Sequence, residues 1–196
     1  MIYICTEITP SYSLDYEHIT IDNNLCSFSE QYRHLRGIWQ IYNYIDIPDE
    51  VGIFQKRRRL PVNTIPENFD AVAPRCIWPC EVRQQYIDCG PCSHGSHAER
   101  DIDLVEHIIA EQSFSDYIRI PDNNECYWHN MFIMKRDDFT RYCDFMFSVL
   151  FEKDRYAGPQ SNCFLAERIG SWWIWKNFAK DRIFSCEVEE FPDITR

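Results

Sequence analysis

A chain of 196 residues, 45% hydrophobic and 15% aromatic, carries enough apolar side chain to bury a core without disulfide or metal staples, which excludes a disordered or disulfide-framework protein. Its 20 basic and 31 acidic residues leave a net charge of −11, so the chain as a whole repels polyanions and generic nucleic-acid or membrane-surface binding is disfavoured. No apolar run approaches the roughly 20 residues that span a bilayer, and the start MIYICTEI lacks the features of a signal peptide; a single cytoplasmic domain is expected, its ten cysteines mostly reduced.

The opening MIYICTEI alternates and is β-rich, which predicts a buried first strand ending near Thr6, and loops at the carboxyl ends of such strands are where α/β folds bind ligands. From Ser29 to Tyr44, residues Tyr32, Leu35, Ile38, Trp39 and Tyr42 recur at three and four, predicting an amphipathic helix with Ser29 as N-cap. Val51 to Phe54 is a short apolar run of interior-strand type that stops at Gln55. Asp70 to Pro74 reads as another short strand and Glu81 to Tyr86 as a helical turn. Asp101 is positioned to cap a helix carrying Leu104, Val105, Ile108 and Ile109, and Asn130 to Met134 reads as a central strand. Asp137 then opens a helix whose buried stripe is Phe139, Tyr142, Cys143, Met146, Val149 and Leu150, and a last helix covers Phe164 to Phe178. Strands alternating with helices predict an α/β fold with a mainly parallel sheet covered on both faces.

Four consecutive cations, Lys56, Arg57, Arg58 and Arg59, follow the Val51–Phe54 strand. A charge run is ordinarily a solvated face. At the carboxyl edge of a strand, however, planar guanidinium groups can each hold phosphate oxygens through two hydrogen bonds, and in an acidic chain the cluster would draw an anionic nucleotide into the cleft. Cys89-Gly-Pro-Cys92 has thioredoxin-like CxxC spacing but is followed by Ser93-His94-Gly95-Ser96-His97 instead of a long helix, so no redox role is expected. Cys76, Cys80, Cys89, Cys92, His94 and His97 supply enough soft ligands for a structural zinc, although a merely Cys-rich loop is the preferred reading. Asp101-Ile102-Asp103 is a literal DxD, yet it begins a helix instead of following a strand, and capping explains it better than a metal on a diphosphate. Glu167, beside Arg168, is either an exposed ion-pair partner or a general base toward an acceptor hydroxyl.

Several segments in the same order resemble the DUF4422 family, bacterial capsule and exopolysaccharide glycosyltransferases long catalogued as a domain of unknown function. Ile4-Cys5-Thr6 matches the family's opening strand I-C-T-H-K, with Glu7 and Ile8 at its two basic positions. Asp22, Asn23 and Asn24, followed by Tyr32, His34, Leu35, Gly37, Ile38 and Trp39, partly match D-N-I-S and Y-x-E-L-T-x-L-Y-W. Val51-Gly52-Ile53-Phe54-Gln55-Lys56-Arg57-Arg58-Arg59 resembles Y-V-G-L-F-H-Y-R-R-Y and keeps its two arginines. His129-Asn130-Met131-Phe132-Ile133-Met134-Lys135 is the most specific match, and Phe164-Leu165-Ala166-Glu167-Arg168 resembles F-L-S-E-R near the C-terminus.

The resemblance implies a single GT-A-like domain that binds a nucleotide-sugar and passes the sugar to an acceptor hydroxyl. Carried onto this sequence, it implies Thr6, Asp22, Lys56, Arg57, Arg58, His129, Asn130 and Arg168 as donor-binding residues, with Asn130 presented to the donor sugar, and Glu167, Arg57 and Arg58 as the catalytic ones. Arg57 and Arg58 stand where a metal-holding DxD would be expected, so no metal and no cofactor beyond the nucleotide-sugar is required. Family context points to a growing saccharide as acceptor. A compact phage enzyme acting on a hydroxymethylated DNA base is a second reading, and a non-catalytic binding protein, its donor lost with the changes at Glu7 and Gln55, is a third.

Overall fold

A computed structural model of the chain describes residues 2–6, 17–20, 32–55, 58–77, 80–88, 97–112, 125–127, 129–159 and 162–190; among 2–6 and 17–20 only the side chain of Tyr3 is described. In chain order its elements are β1 (Ile2–Thr6), β2 (Glu17–Thr20), α1 (Leu35–Tyr44), β3 (Glu50–Phe54), β4 (Arg58–Arg59), β5 (Ala71–Ile77), α2 (Val82–Asp88) and α3 (Ala98–Glu111). They continue with β6 (Glu125–Tyr127), β7 (Phe132–Lys135), α4 (Arg136–Ala157), α5 (Asn162–Asn177), a short 3₁₀ turn (Lys180–Arg182), β8 (Ile183–Cys186) and β9 (Glu189–Glu190).

Side-chain alternation decides which way each central strand faces. Val51 and Ile53 of β3, Ala71 and Ala73 of β5, and Phe132 and Met134 of β7 enter one large buried cluster, whereas Phe54, Val72 and Ile133 enter a smaller one on the other face. Helix residues of the two clusters all belong to the large one; Leu60, Val62, Ile65, Phe184 and Val188 close the small one. The sheet runs β2-β1-β3-β7-β5-β6, with β8 on the other edge of β5. β1, β2, β3, β5 and β8 point one way and β6 and β7 the other, so the sheet is mainly parallel with a reversed strand at its centre. A separate two-residue ladder joins β4 to β9.

Aromatic side chains carry much of the helix layer. Trp39 of α1 meets Phe147 and Phe151 of α4 edge-on, with ring centroids 4.8 and 5.2 Å apart. Tyr142 of α4 stands between Phe132 of β7 and Trp173 of α5, at 4.9 and 5.5 Å. At the α4–α5 junction the fully buried Lys153 donates to the Gly158 carbonyl at 2.5 Å and to Asn162 Oδ1 at 3.0 Å. Burial lowers its pKa, while the carboxylates of Asp101 and Asp154 act in the opposite sense. Asn162 donates in turn to Asp154 Oδ1 at 2.8 Å, and Tyr32 donates to the other oxygen of Asp154, so this buried charge is enclosed by partners.

Several expected boundaries move. The first helix begins at Leu35, and its expected cap Ser29 lies outside the described residues. α3 begins three residues before Asp101, with His97 at the cap position. Asp101 is therefore not a cap but a fully buried first-turn residue bonded by Arg100 at 2.6 and 3.0 Å, and Asp103 pairs with Arg83. The two carboxylates of the DxD thus serve different partners. No helix among the described residues is long and apolar enough to cross a membrane.

Gly170 of α5 lies against Tyr142. A Cβ built there would stand 2.8 Å from the Tyr142 hydroxyl and 3.3 Å from Met146 Cε. Overpacking at a tight core contact costs about 1–3 kcal/mol, against up to about 1 kcal/mol that alanine gains over glycine within a helix. Gly170→Ala is expected to lower stability in urea unfolding; an increase would show that Tyr142 yields freely.

Candidate active site

Between Val72 and Arg75, β5 advances three residues, while the chain that pairs with it advances six, from Tyr127 to Ile133. That side is thus three residues longer, and between the two pairs His129 (φ 68°) and Asn130 (φ 49°) take left-handed backbone conformations. Non-glycine residues seldom do so, with Asn and His among the tolerated ones. Asn130 is thus not the first residue of the central strand, as the sequence suggests; that strand starts at Phe132. The bulge lies beyond the carboxyl end of β3, because Ile53 faces Phe132 and Val51 faces Met134. β1 runs parallel to β3 with Ile4 opposite Phe54, which places its last residue, Thr6, at the same end of the sheet. This is the end where open α/β sheets hold ligands.

Side chains from four elements hold the bulge. Gln55 donates its amide hydrogen to the His129 carbonyl. Asn130 Nδ2 donates to the Cys163 carbonyl at 3.2 Å and lies 3.1 Å from His34 Nε2, and its Oδ1 faces the Tyr142 hydroxyl at 3.5 Å. Both amide hydrogens of Asn130 are committed to the protein. Gln55 and Arg58 exchange backbone hydrogen bonds of 3.2 Å in each direction, folding β4 back toward the site. One Arg58 guanidinium nitrogen then stands 3.4 Å from both His129 Nδ1 and Gln55 Oε1. Burial and the Arg58 charge push the His129 pKa down to about 3, so the ring is neutral and its Nδ1 can accept from the arginine.

Glu167 is the acidic member. It lies on α5 four residues after Cys163, so its backbone amide shares the carbonyl that receives Asn130. Its carboxylate is buried, with Oε2 accepting from Arg168 at 3.0 Å. Burial raises its pKa to about 7 against the opposing charges of Arg168 and Arg58. Arg168 is itself only 2% exposed. It donates to the Phe164 carbonyl at 3.0 Å and to Gln85 Oε1, and lies over the Tyr86 ring at 5.2 Å. Beyond the cluster, Arg58 pairs with Glu190 at 2.8 Å and Arg59 with Glu189 at 2.6 Å across the β4–β9 ladder.

The structure therefore brings together Arg58, His129, Asn130, Glu167 and Arg168, residues scattered over 111 positions of the sequence. The expected site residues Asp22, Lys56 and Arg57 lie outside the described residues, as do Cys89, Cys92 and His94 of the zinc alternative. Cys76 faces Cys126 across the β5–β6 pair and shares a thiol hydrogen bond with it. Among the described residues no group of three metal-binding side chains occurs.

The sequence profile of DUF4422, described as a domain of unknown function, matches residues 2–159. The chain belongs to the DUF4422 family. Within solved structures it is similar to the apo structure of the WbbM bifunctional glycosyltransferase, with a TM-score of 0.67 at 15% identity. The likeness covers 96% of this chain but 45% of that one, so the chain spans under half of the WbbM length. No curated protein sequence matches it. The family match ends at residue 159, whereas the structural likeness takes in nearly the whole chain and so extends into α5, which carries Glu167 and Arg168.

Sequence reasoning passed over Gln85, Glu189 and Glu190 in this DUF4422 chain, took Gln55 only as a changed donor-side position and Tyr142 only as a core residue, and assigned His34 no role. The adjacent acids at 189–190 facing the adjacent arginines at 58–59 were the one available signal, since neighbouring residues on an antiparallel strand pair in reverse order.

Glu167 also sets a stability test. Its folded pKa of about 7 exceeds the ordinary carboxyl value of 4.5, so the folded state binds the proton more tightly. That contribution is full below the unfolded value and is lost as pH rises through the folded one. Wild type should thus lose melting temperature relative to Glu167→Gln between about pH 5 and pH 8; parallel curves would show that the carboxyl is not shifted.

Proposed function

We propose that this chain is a glycosyltransferase that moves a sugar from a nucleoside-diphosphate donor to an acceptor hydroxyl. The observation that carries the reading is the state of Glu167. One of its oxygens is held by Arg168, Oε1 has no hydrogen-bond partner among the described residues, and its raised pKa suits a group that must take up a proton near neutrality. The fold shared with a glycosyltransferase supports the reaction class.

In this reading the acceptor hydroxyl gives its proton to Glu167 while its oxygen bonds to the anomeric carbon. The bond from that carbon to the diphosphate oxygen breaks. Arg58, with Arg57 and Lys56 beside it in the sequence, offsets the charge that collects on the departing diphosphate, so no metal is required. Asp22 and Thr6 complete the donor side. Asn130 and Arg168 serve the donor indirectly, one through the bulge and α5 and the other through Glu167, because both are buried, with the Asn130 amide and the two terminal nitrogens of Arg168 bonded to the protein. A saccharide is the acceptor that fits best. The chain's net charge of −11 disfavours a DNA acceptor.

Calorimetry with ADP, GDP, UDP and dTDP should reveal one preferred nucleotide, and mass spectrometry of saccharides incubated with the matching nucleotide-sugars should show a hexose or pentose added. Absence of nucleotide binding would favour a binding relic over an enzyme. Turnover should survive EDTA and rise with pH through about 7 as Glu167 ionises, and Glu167→Gln should remove both the activity and that limb.

Arg58→Ala should reduce turnover by roughly 10²–10³ while leaving the melting temperature nearly unchanged, because its ion pair with Glu190 is partly exposed and such pairs contribute little. Arg59→Ala should matter less. Full activity in the Arg58 variant would sink the assignment.

A further inference from the structure

We propose that His34 contacts the donor sugar: its ring, tied at Nε2 to Asn130, presents Nδ1–H as a neutral hydrogen-bond donor to a sugar hydroxyl oxygen. The proposal rests on the transferase reading above.

The argument begins with the Asn130 amide, whose orientation is determined by its partners. Cys163 offers a carbonyl oxygen at 3.2 Å, which only the amide nitrogen can meet; turned over, the Asn130 oxygen would face another oxygen. The same nitrogen lies 3.1 Å from His34 Nε2. A nitrogen that receives an N–H carries no proton of its own, so the single proton of neutral His34 resides on Nδ1, and an imidazolium would set one N–H against another. Burial and the Arg33 charge act in the same sense, pushing the His34 pKa down to about 4.

Nδ1 has no partner among the described residues. His34 occupies the residue before α1, where a ring nitrogen with a free lone pair could cap the helix. It makes no such bond, because the His34 backbone is itself helical (φ −61°, ψ −21°) and the ring is not in capping position, so Nδ1 is not used by the helix end. The side chain is half-buried and bonded to Asn130, the neighbour of His129, so it belongs to the same site. Division of labour follows from charge. A guanidinium such as Arg58 suits phosphate oxygens, whereas a neutral donor with one direction suits an uncharged hydroxyl.

Two variants separate the ring nitrogens. The amide nitrogen of asparagine reaches the place of Nδ1, and that of glutamine the place of Nε2. His34→Asn is expected to bind UDP-glucose, UDP-galactose, GDP-mannose or dTDP-glucose, whichever wild type prefers, within about threefold of wild type. His34→Gln and His34→Ala should weaken that binding about tenfold, and all three should bind the free nucleoside diphosphate like wild type. Unchanged nucleotide-sugar binding in His34→Ala, or equal loss of sugar-bearing and free nucleotide, overturns the proposal while leaving the transferase reading intact; a wild type that binds neither overturns both. Nitrogen-15 NMR of the unliganded wild type supplies an arm that needs no ligand and no variant. His34 should show a protonated Nδ1 and an unprotonated Nε2 from about pH 5.5 to pH 8. The opposite tautomer, or an imidazolium in that range, overturns the assignment.

Discussion

The hydrogen bonds of one side-chain amide organise this protein's site. Asn130 reaches the start of α1 through His34, the start of α5 through the Cys163 carbonyl, and α4 through the Tyr142 hydroxyl. It does so from a left-handed position in a bulge between β6 and β7. An amide has two donors and an acceptor oxygen in one plane, and here every one of them meets a different helix or its approach. Its replacement by leucine would keep the volume and lose all three directions. The geometry of Glu167 depends on the same carbonyl, since the α5 turn that carries it is the turn Asn130 grips.

Charge in the site is distributed by burial more than by composition. The chain is strongly acidic overall, yet its site gathers two arginines around one carboxylate and two imidazoles that burial holds neutral. Arg168 is enclosed and bonded on several sides, so it acts as a fixed charge and a clamp. Arg58 is more open, with one end on the bulge and the other on Glu190. An enclosed cation that orients a carboxylate, beside a more open one, is the arrangement on which the proposed proton uptake and leaving-group stabilisation rest.

Periodicity in the sequence located α3, α4 and α5 to within a few residues, because burying one face imposes a repeat that survives any change of partner, and β1 by its alternation and β3 by its short apolar run were found equally closely. The buried stripe of α4, from Phe139 to Leu150, was legible for that reason. The bulge was not. Nothing local distinguishes His129-Asn130 as the start of a strand from the same pair held left-handed by Gln55, which comes from 74 positions away. The DxD misled in the opposite direction: Asp101 looked like a cap because the pattern of α3 fades toward its start, whereas the side chain is drawn inward beside the buried Lys153. Glu167 and Arg168 were noticed as neighbours, but their enclosure by Gln85 and Tyr86 depends on how α2 meets α5.

The reversed central strand has a consequence for how the site comes into being. β7 lies between β3 and β5, each paired to it from more than 60 residues away in sequence. Neither ladder rewards the chain until long loops have closed, so pairings of this kind slow folding. The bulge is set by β5, which pairs with β6 on one side of it and with β7 on the other, and β7 is covered by the core on both faces. The arrangement of the site thus leans on the same strand pairings that hold the centre of the sheet together, and anything that loosens β7 would loosen it too.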